Sequence, residues 1–247
     1  MSDGLVARLS SAERKMDFPN LRPKDAATLL ILDRQRNGDI KVLMGRRHER
    51  HKFMPGMFVF PGGRVDPQDS RVPVAASYHP QVAAKLAHEM KGPRSEARQR
   101  AFGVAAIRET FEEAGVFVAR RAGDPWQGEG DFAAFSERGL ALDLSPFRMV
   151  ARAITPPRRP RRFDTRFLAV FADEIADRLP EGTGPSGELE EVDWLTLDAA
   201  KSLDLPTITL TIIEELQNRL SADPDLAPET AVPFYYWRRT GFIRELI

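Results

Sequence analysis

Arg108-Glu109-Thr110-Phe111-Glu112-Glu113-Ala114-Gly115-Val116 is the stretch that decides how the rest of the chain reads. It forms the last turns of a predicted helix that begins near Ser95. Successive helical residues are rotated by about 100°, so Glu109, Glu112 and Glu113 fall on one side. Val104, Ile107, Phe111 and Ala114 make an apolar stripe on the opposite side. Gly115 is suited to the left-handed conformation that closes a helix. Three carboxylates on one face repel one another, and the helix macrodipole adds to the penalty near the C-terminus. A divalent cation would reverse the sign of that interaction, and hard oxygen ligands suit Mg²⁺ or Mn²⁺. From the helix alone, a solvated acidic face and a metal site both remain open.

Working outward, the composition is that of an ordinary globular protein. The chain has 247 residues, 42% hydrophobic and 29% charged. Its 36 basic and 36 acidic residues give a formal net charge of zero, which by itself argues neither for nor against nucleic acid. The absence of cysteine excludes disulfides, thiolate metal sites and a cysteine nucleophile. No apolar run reaches membrane-spanning length and no signal peptide is visible, so a cytoplasmic location is the default expectation.

Residues 1–23 read as a polar tail or strap, and residues 24–247 as one domain. Ala26–Leu32 is a predicted buried strand, and Asn37-Gly38 a hairpin turn into a strand from Ile40 to Gly45. The loop Arg46-Arg47-His48-Glu49-Arg50-His51-Lys52 is dense in cations, either as a solvated loop or as an anion-binding one. His48 and His51 have only Glu49 as an acid beside them, which is thin for a zinc site. Pro61-Gly62-Gly63 permits close approach of backbone to a ligand. Residues 70–93 read as an insertion containing a short helix. Two predicted strands, Arg148–Ile154 and Phe163–Phe171, flank the basic, proline-rich stretch Thr155–Arg162. Gly182–Gly187 is a mobile loop by composition. Glu188–Leu195 is a predicted strand, Leu197–Leu203 and Pro206–Leu220 are predicted helices, and the aromatic run Val232–Trp237 reads as core packing.

These signals together resemble the Nudix box, G-x5-E-x7-R-E-U-x-E-E-x-G-U, where U is aliphatic. Gly63 and the Arg108–Val116 stretch supply its two ends. Thr110 stands at a usually aliphatic position, and Asp69 stands where the family has its first glutamate. Asp69 and Arg108 are separated by 38 residues where the family has seven, an insertion of about 31. Upstream, Leu43-Met44-Gly45-Arg46-Arg47 followed by Gly56-x-Phe58-x-Phe60-Pro61-Gly62-Gly63 resembles, without a gap, the motif that precedes the box in coenzyme A diphosphatases. Several of its positions are changed, Gly45 for Thr and Phe58 for Val among them. A long insertion within the box also resembles the peroxisomal acyl-CoA diphosphatase branch.

The resemblance implies an α/β/α sandwich with a mixed central sheet. It also implies Mg²⁺- or Mn²⁺-dependent hydrolysis of a nucleoside diphosphate linked to another group. CoA or acyl-CoA would be split to 3′,5′-ADP and the (acyl-)4′-phosphopantetheine. By position, Glu112 and Glu113 are metal ligands, Glu109 is a metal ligand or general base, and the carbonyl of Gly63 touches metal. Arg108 orients a box carboxylate through a bidentate pair. Glu188, Glu190 and Glu191 are candidates for a further acid. Arg46, Arg47 and Arg162 are expected to bind substrate phosphates. A diphosphatase for ADP-ribose or NADH, and a Nudix-like module that binds a nucleotide without cleaving it, stay open as alternatives. The expected partner is a small nucleotide rather than a nucleic acid or a membrane, with a homodimer implied only by the family's habit.

Overall fold

The computed structural model describes residues 2–12, 17–50 and 55–247. In chain order its elements are α1 (Ser2–Ser11), β1 (Lys24–Arg34), β2 (Ile40–Arg47), β3 (Phe58–Val59), β4 (Gly62–Arg64), α2 (Pro80–Ala87), α3 (Glu96–Ala114), β5 (Val116–Val118), β6 (Arg120–Arg121) and α4 (Ala133–Glu137). There follow β7 (Leu140–Ala141), β8 (Arg148–Ile154), β9 (Phe163–Phe171), β10 (Ile175–Arg178), β11 (Leu189–Thr196), α5 (Leu197–Lys201), α6 (Thr207–Ala222), β12 (Pro233–Arg238) and β13 (Gly241–Leu246).

Strand β1 organises the sheet because it is buried on both faces. Alternate side chains of a strand point to opposite sides. Ala27, Leu29 and Ile31 enter one core together with Val104, Ile107 and Phe111 of α3. Leu30 and Leu32 enter a second core with Ile212, Ile213 and Leu216 of α6 and Leu9 of α1. A strand buried on both sides reads as a continuous apolar run rather than an alternating one, which is the pattern of residues 26–32. Among the described residues the result is a mixed sheet of nine strands, in the order β11-β2-β1-β9-β8-β12-β13 with β3 on β2 and β4 on β1. β1 runs parallel to β9, and β8 parallel to β12. Helices cover both faces, giving the α/β/α sandwich.

Three segments differ from their sequence expectations. Within the tail or strap, residues 2–11 are helical: Arg8 donates to Glu214 and to Thr211 Oγ1 at 3.2 Å on α6, and Ser10 Oγ accepts from the Phe242 N–H at 2.9 Å. The aromatic run Val232–Trp237 is not only packing: most of it forms β12, which extends the sheet and makes a hairpin with β13. Gly182–Gly187 is pinned rather than loose, for a reason given below. Residues 70–93 join the first core through Tyr78, Val82, Leu86 and Met90. Lys85 Nζ, on α2, donates to the carbonyls of Pro228 and Thr230, both at 2.6 Å. No helix among the described residues is long and apolar enough to cross a membrane.

Candidate active site

Helix α3 starts and stops as its sequence dictates. Ser95 Oγ accepts from the Arg98 N–H at 3.3 Å, and Gly115 closes the helix at φ 67°, ψ 21°. The predicted stripe of Val104, Ile107, Phe111 and Ala114 is buried. The acidic side is not a solvated face: Arg108 and Glu113 are each only 3% exposed, because the β4 turn lies over this end of the helix. Thr110, fully buried at the usually aliphatic position, satisfies its hydroxyl by donating to the Ala106 carbonyl at 2.7 Å.

Arg108 is the hub. Its Nε and Nη2 donate to the two carboxylate oxygens of Asp69 at 3.0 and 3.1 Å, a bidentate pair. Asp69, in the short 3₁₀ turn Pro67–Ser70, is wholly buried and also accepts from the Asp66 N–H at 2.7 Å. Arg108 Nη1 donates to Glu109 at 2.8 Å and to Glu112 at 3.1 Å. Nη2 also donates to the Arg64 carbonyl at 3.0 Å. The insertion therefore leaves the two ends of the box in contact. Asp69 faces Arg108 across it and does not line the cleft.

Gly62 and Gly63 bring the backbone against the acids. The Gly62 N–H donates to Glu113 Oε2 at 2.9 Å. A Cβ on Gly63 would lie 2.4 Å from the Glu109 carboxyl carbon, so only glycine allows that carboxylate to rest there. The loop 182–187 completes the arrangement. The last carbonyls of a helix have no intrahelical partner. Here the Gly184 N–H donates to the Glu113 carbonyl at 3.0 Å and the Ser186 N–H to the Glu112 carbonyl at 2.9 Å. This anchoring delivers Glu188, the next acid along, to the site.

These groups line a cleft of about 560 Å³. Its acidic wall is Glu109, Glu113 and Glu188 beside Gly62 and Gly63. Leu9, Phe60, Phe163, Ile208 and Phe242 give an apolar wall, and Arg159 and Arg161 come from the loop between β8 and β9. Of the three acids that the sequence left unseparated, Glu188 alone faces the cleft. Glu190 and Glu191 pair instead with Arg46, Glu191 at 2.9 Å. Arg47 lines the cleft and pairs with Glu188 at 3.2 Å. Arg46 does not line it, because neighbouring residues of a strand point to opposite faces. Arg162 lies outside it as well. Its guanidinium holds the base of its own loop, donating to the carbonyls of Thr155 at 3.1 Å and Leu21 at 2.6 Å and to Asn20 Oδ1 at 2.8 Å. Glu112 stays with Arg108 and does not line the cleft. His48 accepts from the Arg50 N–H at 3.1 Å, and His51 lies outside the described residues.

The electrostatics are those of under-neutralised acids. Burial pushes the Glu113 carboxyl up to about 8, with Glu109 and Glu188 adding to the rise against the Gly62 N–H and Arg47. Burial pushes Glu112 up to about 7 against Arg108, and Glu109 is raised for the same reason. Burial lowers the Arg108 pKa, but its hydrogen bond to Asp69 and the surrounding carboxylates outweigh this and raise it. Among the described residues no three acids or imidazoles converge as a ready-made metal cage. Arg108 bridges Glu109 and Glu112, while Glu113 accepts from the Gly62 N–H. The donor set nonetheless fits a hard divalent cation: oxygen-only ligands, desolvated, and carrying more negative charge than Arg108 offsets.

No family model matches the chain. Curated relatives do. A Caenorhabditis elegans protein provisionally named nudix hydrolase 7 is 29% identical over 167 residues, covering 63% of this chain and 46% of that protein. The acyl-coenzyme A diphosphatase NUDT19 of Gallus gallus is 30% identical over 139 residues, 44% of this chain and 34% of the relative. The matches thus span less than half the length of these curated relatives. Among solved structures, a NUDIX hydrolase from Alicyclobacillus acidocaldarius is 29% identical with a TM-score of 0.61, covering 85% of this chain and 96% of that one.

Proposed function

This chain belongs to the Nudix hydrolase superfamily, and on that footing we propose that it is a diphosphatase that splits CoA or acyl-CoA into 3′,5′-ADP and the corresponding 4′-phosphopantetheine. The observation that carries the reading is the cleft wall on which Glu109, Glu113 and Glu188 meet the Gly62-Gly63 turn. Nudix enzymes act on small nucleotides with the help of divalent metal ions. Glu109 and Glu113, which face the cleft, are the residues that would hold Mg²⁺ or Mn²⁺ with the Gly63 carbonyl, and Glu112 would join them by turning from Arg108. Such an ion, when bound, offsets the charge of the diphosphate and favours attack of water at phosphorus.

The chain's own residues supply the positioning. Arg108 fixes Glu109 and Glu112 through one nitrogen while Asp69 anchors its other edge, so the carboxylates are held before substrate arrives. Glu109, resting against Gly63, is placed either to ligate or to take a proton from water. Arg47 brings positive charge to the acidic wall and is poised to meet a phosphate oxygen. The apolar wall suits the pantetheine arm or an acyl chain, which carry no charge. The likeness to an acyl-coenzyme A diphosphatase supports the same substrate class.

The test is turnover of CoA, an acyl-CoA, ADP-ribose, NADH and dinucleoside polyphosphates in Mg²⁺ or Mn²⁺. Release of 3′,5′-ADP from CoA at the highest kcat/KM of the panel is the expected result. Preferred hydrolysis of ADP-ribose or NADH would replace the substrate assignment, and tight binding without turnover of any compound would replace the enzyme by a binding module.

A further inference from the structure

We propose that Arg159 and Arg161 form a subsite for a phosphate monoester on the substrate, separate from the diphosphate that is cleaved. This deepens the diphosphatase reading above and rests on it for the identity of the substrate. Among the described residues, four arginines line the cleft: Arg47, Arg64, Arg159 and Arg161. Two are already neutralised, Arg47 by Glu188 and Arg64 by Asp66. No carboxylate or hydrogen-bond acceptor among the described residues pairs with the side chain of Arg159 or Arg161. Arg159 is half-buried and Arg161 exposed, and an anion that reaches both gains charge-assisted hydrogen bonds from each.

The loop that carries them is built to hold them. Pro156, Pro157 and Pro160 restrict its backbone. Thr155 and Phe163 close its base: the Thr155 N–H donates to the Phe163 carbonyl at 2.9 Å, and the Phe163 N–H to Thr155 Oγ1 at 3.0 Å. Arg162 ties that base to Asn20 and Leu21. Arg158, at φ 58°, turns the chain just before Arg159. The ligand class follows from charge. The acidic wall suits a cation bridging to the diphosphate and repels a free anion, so these arginines serve a second anionic group. Planar guanidinium forks match the oxygens of a phosphate dianion better than a lysine would. CoA carries such a group on its ribose at the 3′ position; 3′-dephospho-CoA does not.

The experiment uses the full chain, wild type, the double variant Arg159→Ala/Arg161→Ala and the conservative Arg159→Lys/Arg161→Lys. Calorimetry without metal compares binding of 3′,5′-ADP and 5′-AMP. Wild type should prefer 3′,5′-ADP by roughly ten- to a hundredfold, the scale of a charge-assisted hydrogen-bonded pair. The alanine variant should lose that preference and the lysine variant recover part of it. In turnover, the ratio of KM for CoA to KM for 3′-dephospho-CoA should rise by a similar factor in the alanine variant. Equal losses for both nucleotides and both substrates, or no preference in wild type, would overturn the subsite. Failure of wild type to hydrolyse either CoA compound would overturn the diphosphatase reading, while the calorimetry would still decide the subsite on its own.

Discussion

Two of the buried charge clusters among the described residues are unbalanced in opposite directions. Around Arg108, one guanidinium bonds to Asp69, Glu109 and Glu112, and Glu113 lies just beyond. At the β8–β9 pair, Asp164 sits between Arg152 at 2.7 Å and Arg166 at 2.9 Å, while Asp25 meets Arg98 at 2.6 Å. The first cluster has excess acid, and its carboxyls are pushed up. In the second, burial would raise Asp164, but hydrogen bonds and charge from Arg152 and Arg166 bring its pKa below the usual range. Burial brings the Arg166 guanidinium down to about 10. Arg152 and Arg166 also stack over the rings of Phe234 and Phe102, at 4.2 and 4.3 Å. A cluster whose acids are all paired with arginine is a scaffold, even though Arg166 Nε and Nη2 make no hydrogen bond among the described residues. One that leaves desolvated acids short of positive charge fits the proposed cation site.

The contrast can be broken most severely at the scaffold. Asp164→Asn leaves two buried guanidinium groups without their shared counter-ion and should cost about 3–5 kcal/mol of stability, read by urea unfolding. A loss below the range of an exposed pair would mean that the cluster is not structural. Glu113→Gln should do the reverse: activity falls by about 10²–10³-fold, the scale of losing one preorganised electrostatic group, while Tm holds or rises. The neutral amide escapes the desolvation cost yet still accepts from the Gly62 N–H. Unchanged kcat would remove Glu113 from the chemistry.

A smaller effect is expected at Asp69, a positioning residue. Asp69→Asn should lower metal affinity or kcat by about 10–100-fold, with partial rescue by Asp69→Glu. A uniform loss of folded protein without a shift in metal dependence would assign it to stability alone. The pH dependence of stability sharpens the same comparison. Asp164 has a folded pKa below its unfolded value, near 3.9. Its contribution is therefore complete above that value and is lost as pH falls through the lower folded pKa. Acid unfolding followed by circular dichroism should be shallower in Asp164→Asn. Least of all, Arg46→Ala should leave Tm and the KM for CoA essentially unchanged, because its ion pairs with Glu190 and Glu191 are outside the cleft. A marked rise in KM would restore Arg46 to the site.

Much of the site was legible because its signals are local. The box helix announces itself through Ser95, the stripe from Val104 to Ala114, and Gly115. The partnership of Asp69 with Arg108 was harder to read, since the insertion hides the spacing that normally reveals it. Only the packing of residues 70–93 into the first core shows that the ends still meet. Which arginines face the cleft was not legible in the sequence for a related reason. Arg46 and Arg47 are neighbours, as are Arg161 and Arg162, and composition gives each pair equal claim. The pleat of β2 and the anchoring of the loop base then turn one member of each pair away.

Taken alone, the sequence determined the elements whose causes lie within a few turns of chain: the double-faced strand β1, the Asn37-Gly38 hairpin, and a helix ending in clustered acids. It left open whether those acids form a solvated face or a cation site, because burial, which the helix period does not give, decides between the two. Tertiary structure decided which groups share the cleft. Glu188 arrives because a distant loop satisfies the last carbonyls of α3. Leu9 and Phe242 arrive because α1 and β13 dock on the second core. Such membership depends on side-chain directions from elements far apart in the chain, and no local periodicity carries that information.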